Sequence, residues 1–274
     1  MVSVLDALEI LGLVGAGVAI GAYATAVGAG GGFLLAPLLL IRHPDADPAA
    51  VTMAALTVVA VSSGIGTVFS IRERRIDFPV VALLVGAALP GAVLGAAGTS
   101  QLPRSTFALF FGSLLFVVGL YLVVRPHPPV GAPGTDGWHR HFKDGEGNVF
   151  FYRIPVRRSV MSTAIAAFVA ALAGIGGGLI YTPLTTHVMR MPHWLAVPAS
   201  HVVIASIAAM VVVFHASAEN TGDPMEDVPA LGVGVIVASR LGARIQRRLG
   251  AGTLTRFLAI GVLVVAIRTA LIAI

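Results

Sequence analysis

Two glycine-rich motifs are the features of this sequence that could do chemistry. A Gly-x-Gly-Gly-Gly motif at residues 28–32 is followed by Pro37, and a second one at residues 174–178 is followed at the same distance by Pro183. Glycines let the backbone adopt positive φ and let a ligand approach without a Cβ in the way. A single such motif would indicate only close helix packing. Two matched motifs favour a binding site.

Each motif lies between a long apolar run and a run too short to cross a bilayer. The short runs, residues 33–41 and 179–189, cover about 14–17 Å as α-helices, roughly half of the hydrocarbon core. We therefore expect a broken or re-entrant helix pair at each motif. The N-terminus of each short helix directs unpaired N–H groups and its positive dipole end at the break, which attracts anions. The candidate substrate-binding glycines are Gly30, Gly31, Gly32, Gly176, Gly177 and Gly178.

Few polar side chains accompany these glycines. Ser200 and His201 lie early in the apolar run after the second motif, and Thr52 lies in the corresponding region of the first half. An ionisable group inside a membrane is a functional candidate, although a neutral imidazole bonded to a neighbouring helix is the alternative for His201. The two hydroxyls could instead bond to carbonyls of their own helices. No apolar segment has a central Asp or Glu, which favours an anion over a cation as the ligand.

The composition indicates a membrane protein throughout. Hydrophobic residues make up 57% of the 274 residues and charged residues 11%, with a mean hydropathy of +0.91, whereas a soluble domain has about 25% charged residues. There is no cysteine, so disulfides and thiolate metal sites are excluded, and we expect no cofactor and no metal site. The net charge of +5 does not indicate nucleic acid binding, because the basic residues lie between apolar runs.

The chain repeats itself. Gly174 follows Gly28 by 146 residues, and the same offset relates the Ala-Val pair at 196–197 to the pair at 50–51. We interpret this as a duplication, which is typical of transporter folds. The predicted units are a first transmembrane repeat at 1–124, a linker at 125–157 and a second transmembrane repeat at 158–274. The linker starts rich in Pro and Gly, and its second part has the pattern of a β-hairpin.

The charges predict that the two repeats have opposite orientations. The basic loop at Arg72–Arg75 corresponds to the acidic loop at Glu219–Asp227, and by the positive-inside rule the two lie on opposite faces of the membrane. We place the basic loop and the linker in the cytoplasm, which leaves only Arg42, Arg104 and Arg268 outside. The predicted fold is an all-α polytopic protein of the cell (inner) membrane. Each of its two inverted repeats has a Gly-rich helix pair plus three membrane helices.

These residues resemble the sulfite exporter TauE/SafE family, also called the toluene-sulfonate uptake permease family. The resemblance rests on the paired Gly-x-Gly-Gly-Gly-x4-Pro motifs at 28–37 and 174–183, on Ala-Val-x-x-Ser at 196–200, and on Gly-Ala runs near Gly91–Ala96 and Gly242. It covers both halves and implies transport of sulfite, organosulfonates or related small anions across the cytoplasmic membrane. The expected partners are therefore a small anionic substrate and the lipid bilayer, while the oligomeric state is not specified.

Two other classes of function are alternatives to a transporter. An intramembrane hydrolase would need a nucleophile within reach of a base, but Ser200 and His201 are adjacent on a helix and point about 100° apart. The sequence has no Gly-x-Ser-x-Gly or His-Glu-x-x-His motif, so we expect no enzyme. An anion channel is the other alternative, and accumulation of an anion against its gradient would distinguish a transporter from it.

Overall fold

Apolar runs bounded by proline, glycine or charge form the helices of the first half. The computed structural model describes residues 4–27, 31–124, 137–218, 222–248, 256 and 259–266. Pro48 and Pro79 lie in the first turns of their helices, where the missing N–H has no helical partner to lose. The first-half helices are α1 (Val4–Val27), α2 (Gly32–Arg42), α3 (Pro48–Arg72), α4 (Phe78–Thr99) and α5 (Arg104–Val124).

The second half repeats this order of elements. A short α-helix runs directly into a π-helical turn, Leu184–Val188, and a 3-10 turn, Asp223–Asp227, precedes the last long helix. Residues 259–266 are also helical. The second-half helices are α6 (Val156–Leu172), α7 (Gly178–Pro183), α8 (His193–Ser217) and α9 (Val228–Arg248).

The linker contains the antiparallel hairpin expected from its sequence. Strand β1, Trp138–Lys143, pairs with β2, Val149–Ile154, and the register sets Trp138 opposite Ile154. One face of the hairpin is packed against the helices, because Tyr152 and Ile154 are buried. Phe151, on the other face, is 73% exposed. The hairpin therefore docks on the helical part of the molecule through one face only.

The helices form a multi-pass membrane protein. Large aliphatic side chains remain exposed along them, with Leu94, Val117 and Val213 at 64%, 62% and 65%, which suits a surface that faces lipid rather than water. Helix α2 is apolar but shorter than a span. Five of the described helices are long and apolar enough to cross a bilayer, over Ala7–Thr25, Pro48–Arg72, Phe78–Thr99, Arg104–Tyr121 and Trp194–Ser217. The predicted polytopic α-helical architecture is confirmed.

Helices of the two halves pack in matched pairs. Helix α1 packs on α9, and their counterparts in the other half, α6 and α4, also pack together. Helix α3 packs on its own counterpart α8, and each of these two also contacts the fourth helix of the opposite half. The packing partners are therefore exchanged when the two halves are exchanged.

Glycine permits the closest approaches between these helices. A Cβ added at Gly17 of α1 would overlap the carbonyl oxygen of Leu231 in α9, and one added at Gly91 of α4 would overlap the carbonyl oxygen of Ala164 in α6. Small residues are the usual means of bringing helix backbones together in lipid, where no hydrophobic force drives the packing.

Different segments lie at the two ends of α3. At its C-terminal end, called the hairpin end below, the linker hairpin contacts the 73–77 loop, and Gly145 lies against the carbonyl oxygen of Glu73. At its N-terminal end, called the acidic end below, Gly222 lies against Ala50, next to the Asp223–Asp227 turn. The basic loop and the linker therefore share one end of the molecule, and the acidic turn lies at the other.

Candidate functional site

The first glycine tip is the break between α1 and α2. Gly31 caps the N-terminus of α2 in the left-handed conformation, with φ of 82° and ψ of −12°. Gly32 is the first helical residue and is buried, whereas Gly30 lies outside the described residues. Leu34 and Leu35 donate their N–H groups to the carbonyl oxygen of Gly31, so the helix begins at the glycine that the motif predicts.

The second tip has the same geometry. Gly177 caps α7 with φ of 89° and ψ of −10°, and Ile180 and Tyr181 donate N–H groups to its carbonyl oxygen. Gly176 also has positive φ, 72°, and Gly178 is the buried first residue of α7. Because Gly177 follows Gly31 by 146 residues, the offset of the sequence repeat also relates the two left-handed caps.

The two tips meet at the middle of α3. A Cβ added at Gly32 would overlap the carbonyl oxygen of Ile175 and lie 2.6 Å from its carbonyl carbon. The side chain of Val59, near the centre of α3, lies beside both tips: its Cγ atoms are 3.1 Å from a Cβ added at Gly32 and 2.6 Å from one added at Gly176. The backbones of the two breaks are therefore in direct contact, about halfway along a helix long enough to cross the bilayer.

The second tip is held by a buried tyrosine. Tyr181 is fully buried, and its hydroxyl donates to the carbonyl oxygen of Thr163 in α6 at 2.7 Å. Its ring lies beside Gly177, where an added Cβ would be 2.7 Å from a ring carbon. This contact fixes the start of α7 against α6.

The two predicted hydroxyls have different environments. Ser200 is buried, donates to the carbonyl oxygen of Ala196 at 2.8 Å and lies 3.3 Å from the hydroxyl of Thr185. Thr52 is also buried, but no described group lies within hydrogen-bonding distance of its Oγ1. That oxygen points at the second tip, 2.7 Å from the position of a Cβ on Gly174. Thr52 is thus an available hydrogen-bond donor beside the glycines.

His201 lies away from the tips. Its ring packs against Gly66 of α3, with Nδ1 2.9 Å from the position of an added Cβ. Gly66 is seven residues beyond Val59 on α3, which is about 10 Å along the helix axis. The structure therefore brings the described glycines and Thr52 together, and it places His201 closer to the hairpin end.

Two buried carboxylates were missed by the sequence analysis. Asp77, just before α4, accepts hydrogen bonds from Arg140 and Tyr152 of the hairpin, and Asp227, just before α9, is paired with Arg42. Their signal in the sequence is an Asp-x-Pro repeat at 77–79 and 227–229. Hydrogen bonding to Asp77 raises the pKa of Arg140. Burial, together with the same carboxylate, raises the pKa of Tyr152, so both groups remain donors.

Among the residues that the structure describes, no group of three or more His, Cys, Asp or Glu side chains is arranged to hold a metal ion. What the tips offer a ligand is backbone and hydroxyl hydrogen bonding, without a fixed charge from any described side chain. Such a site suits a small anion, because N–H and O–H donors replace its hydration while allowing its release.

Comparisons with known proteins cover most of the chain. A sequence model of the family described as Sulfite exporter TauE/SafE matches residues 13–269. A protein of Bacillus subtilis (strain 168), described as probable membrane transporter protein YunE, is 23% identical over 203 residues, and the alignment covers 72% of each chain. No solved structure matches the chain. The family match includes both glycine motifs and both Asp-x-Pro sites.

Proposed function

The chain belongs to the sulfite exporter TauE/SafE family of membrane transporters, and from this premise we propose that it carries small anions such as sulfite or organosulfonates by alternating access. The observation that carries the proposal is the contact between Gly32 and the Ile175 carbonyl at the middle of α3. Two helix starts, one from each half, meet there with their positive dipole ends. Substrate sites between two repeats typically lie at this depth of the membrane.

The proposed fold consists of two inverted repeats. It is supported by the exchange of packing partners between the halves and by the equal left-handed caps at Gly31 and Gly177. In inverted repeats a rocking motion that opens one end closes the other, because the two halves make equivalent contacts at opposite sides of the membrane. The site at the tips would then face the two sides of the membrane in turn.

The residues have separate roles in this proposal. The glycine tips, including Gly30 and Gly178, supply N–H groups to the anion. The Thr52 hydroxyl, which has no partner among the described residues, donates to an anion oxygen. Ser200, whose hydroxyl lies 3.3 Å from that of Thr185, would position the turn that follows α7. His201 of α8, whose ring packs on Gly66 about 10 Å beyond Val59 along α3, would lie on the route between the site and the cytoplasm.

Sulfite binding is tested by thermal unfolding of the purified protein in detergent. A ligand at 100 times its Kd stabilises the folded state by about 2.7 kcal/mol, which corresponds to about 5–11 °C for a chain of this size. We expect such a rise with sodium sulfite or an organosulfonate, and none with sodium chloride at equal ionic strength. The same unfolding temperature with every anion would contradict the proposed substrate class.

Accumulation in proteoliposomes then separates a transporter from a channel. Labelled sulfite should exceed its external concentration when an ion gradient is imposed, because a coupled carrier does work on its substrate. If internal and external sulfite only equalise under every imposed ion gradient, the chain is not a coupled transporter, and the anion channel becomes the favoured alternative.

The orientation in the membrane is a separate prediction. Single cysteines at Arg72 and Lys143 should react with an impermeant maleimide only from the cytoplasmic side, and one at Asp223 only from outside. All three side chains are exposed, and the chain has no other cysteine, so each label reports one position. Labelling of Arg72→Cys and Asp223→Cys from the same side would refute the inverted-repeat topology.

A further inference from the structure

The two Asp-x-Pro sites are counterparts in the two halves of the chain. Asp77 lies immediately before α4 and Asp227 immediately before α9, the fourth helix of each half, and each is followed two residues later by proline. Both carboxylates are buried, with 3% and 4% of each residue exposed. A buried carboxylate needs a charged or hydrogen-bonding partner, and in both cases the partner comes from another segment.

At the hairpin end the partner segment is the linker. Arg140 donates to both carboxylate oxygens of Asp77, at 3.0 and 2.6 Å, and the Tyr152 hydroxyl donates at 2.7 Å. These three residues form the hairpin-end clamp. A bidentate arginine pair of this kind fixes geometry as well as charge.

The same hairpin also contacts the second half. The indole N–H of Trp194 in α8 donates to Asp144 at 3.2 Å. Hydrogen bonds from Asn148, Trp194 and Glu146 outweigh the effect of burial and lower the pKa of Asp144, so it stays an acceptor. Arg75 of the first half stacks 3.7 Å above the Trp194 ring and donates to its carbonyl oxygen at 3.2 Å. The hairpin therefore bridges α4 of one half and α8 of the other.

At the acidic end the partners come from the first half. Asp227 accepts from Arg42 at 2.7 Å and pairs with His43 at 2.9 Å, both at the C-terminus of α2. Arg42 also pairs with Glu9 of α1. Asp227, Arg42 and His43 form the acidic-end clamp, which joins α2 of the first half to α9 of the second.

We propose that these two clamps are the gates of the transporter, each holding the two halves together at its own end, and that opening an end requires release of the clamp there. This inference rests on the alternating-access function proposed above. The acidic-end clamp joins the two halves directly, and the hairpin-end clamp ties the first half to the hairpin that Trp194 of the second half also holds. The halves therefore cannot separate at either end while the buried carboxylate there keeps its arginine. Release exposes carboxylate and guanidinium to water, which solvates the separated charges in the open state.

The clamps are tested by the reactivity of buried cysteines in purified protein without any added anion. Ser70, near the C-terminus of α3, and Ala50, beside Gly222, are each 6% exposed and report the hairpin end and the acidic end. In Asp77→Asn we expect Ser70→Cys to react with a water-soluble maleimide about tenfold faster, since loss of one partner strongly weakens a buried pair. In Asp227→Asn the tenfold increase should appear at Ala50→Cys instead, and in neither variant should the cysteine at the other end react faster than in the parent.

Milder variants and surface controls keep the test decisive. Tyr152→Phe and His43→Gln each remove or weaken one bond of a clamp and should give smaller increases at the same ends. Glu146→Gln and Asp45→Asn, both exposed and at the same two ends, should change neither rate. Unchanged rates in both aspartate variants, or faster labelling at both ends in each variant, would refute the clamps.

The labelling experiment is independent of the substrate. If sulfite neither binds nor accumulates while the labelling follows the expected pattern, the proposed substrate is wrong and the clamps stand. If sulfite accumulates and the rates do not change, the transporter opens by another route.

Discussion

Gly32→Ala should lower the thermal unfolding temperature and abolish sulfite transport. The added Cβ would overlap the carbonyl oxygen of Ile175 and lie 2.6 Å from the carbonyl carbon. Both atoms belong to the backbone of the opposite tip, so no side-chain rotation can relieve the overlap. Overpacking of this kind costs about 1–3 kcal/mol, or roughly 2–12 °C in a chain of this length. The measurement is thermal unfolding in detergent, followed by uptake into proteoliposomes.

Gly86→Ala is the matched control for this substitution. Gly86 lies on α4, and an added Cβ there would meet no atom within 4 Å. The same methyl in a membrane helix should therefore leave both stability and transport unchanged. If Gly32→Ala unfolds at the same temperature as Gly86→Ala and carries sulfite, the two tips do not touch in the working protein.

Gly31→Ala and Gly177→Ala should weaken sulfite binding at least tenfold while the proteins still insert and elute as the parent does. Both glycines have φ above 80°, where an alanine costs about 1–2 kcal/mol. Relief of that strain would turn the N–H groups of the tip away from the anion. The added methyl would also lie 3.1 Å from Ala24 Cβ at Gly31, and 2.7 Å from the Tyr181 ring at Gly177. The measurement is the sulfite concentration that gives half of the thermal stabilisation.

Gly147→Ala controls for the backbone strain alone. Gly147 has φ of 91° in the hairpin turn, and only the end of the Lys143 side chain lies near its added Cβ, at 4.0 Å. This variant should carry a similar strain and bind sulfite normally. Two tip variants that bind sulfite as well as Gly147→Ala would show that the glycines serve packing and would remove the proposed site.

The two clamps and the glycine tips would move by different distances in the proposed rocking motion. The tips meet at the middle of α3, so a rocking motion about that contact would move them little and would move the two ends most. The Asp77 and Asp227 pairs lie at those ends. A buried ion pair is a poor source of net stability, which makes it suitable as a contact that must break and re-form.

Local sequence patterns were sufficient to predict the helices, the linker hairpin and the positions of the two helix breaks. Hydropathy predicts the membrane helices, because an apolar run in lipid must satisfy its own backbone as a helix. The repeated Gly-x-Gly-Gly-Gly motif predicts where α2 and α7 begin, and in the structure Gly31 and Gly177 cap them with almost equal φ and ψ. The linker hairpin also follows from its alternating pattern around a Gly-rich turn.

What the sequence by itself determined is therefore the kind of protein, its helices, its repeat and its two glycine tips, since each depends on residues close together in the chain or on a simple offset. The tertiary structure alone decided that Gly32 packs on Ile175 and that Asp227 binds Arg42 across 185 residues. It also decided that the Thr52 hydroxyl has no partner among the described residues, and that His201 lies toward the hairpin end. Such contacts depend on the rotation and depth at which helices pack, and in lipid that packing is set by steric fit between small residues rather than by hydrophobicity. Hydropathy and spacing do not contain that information.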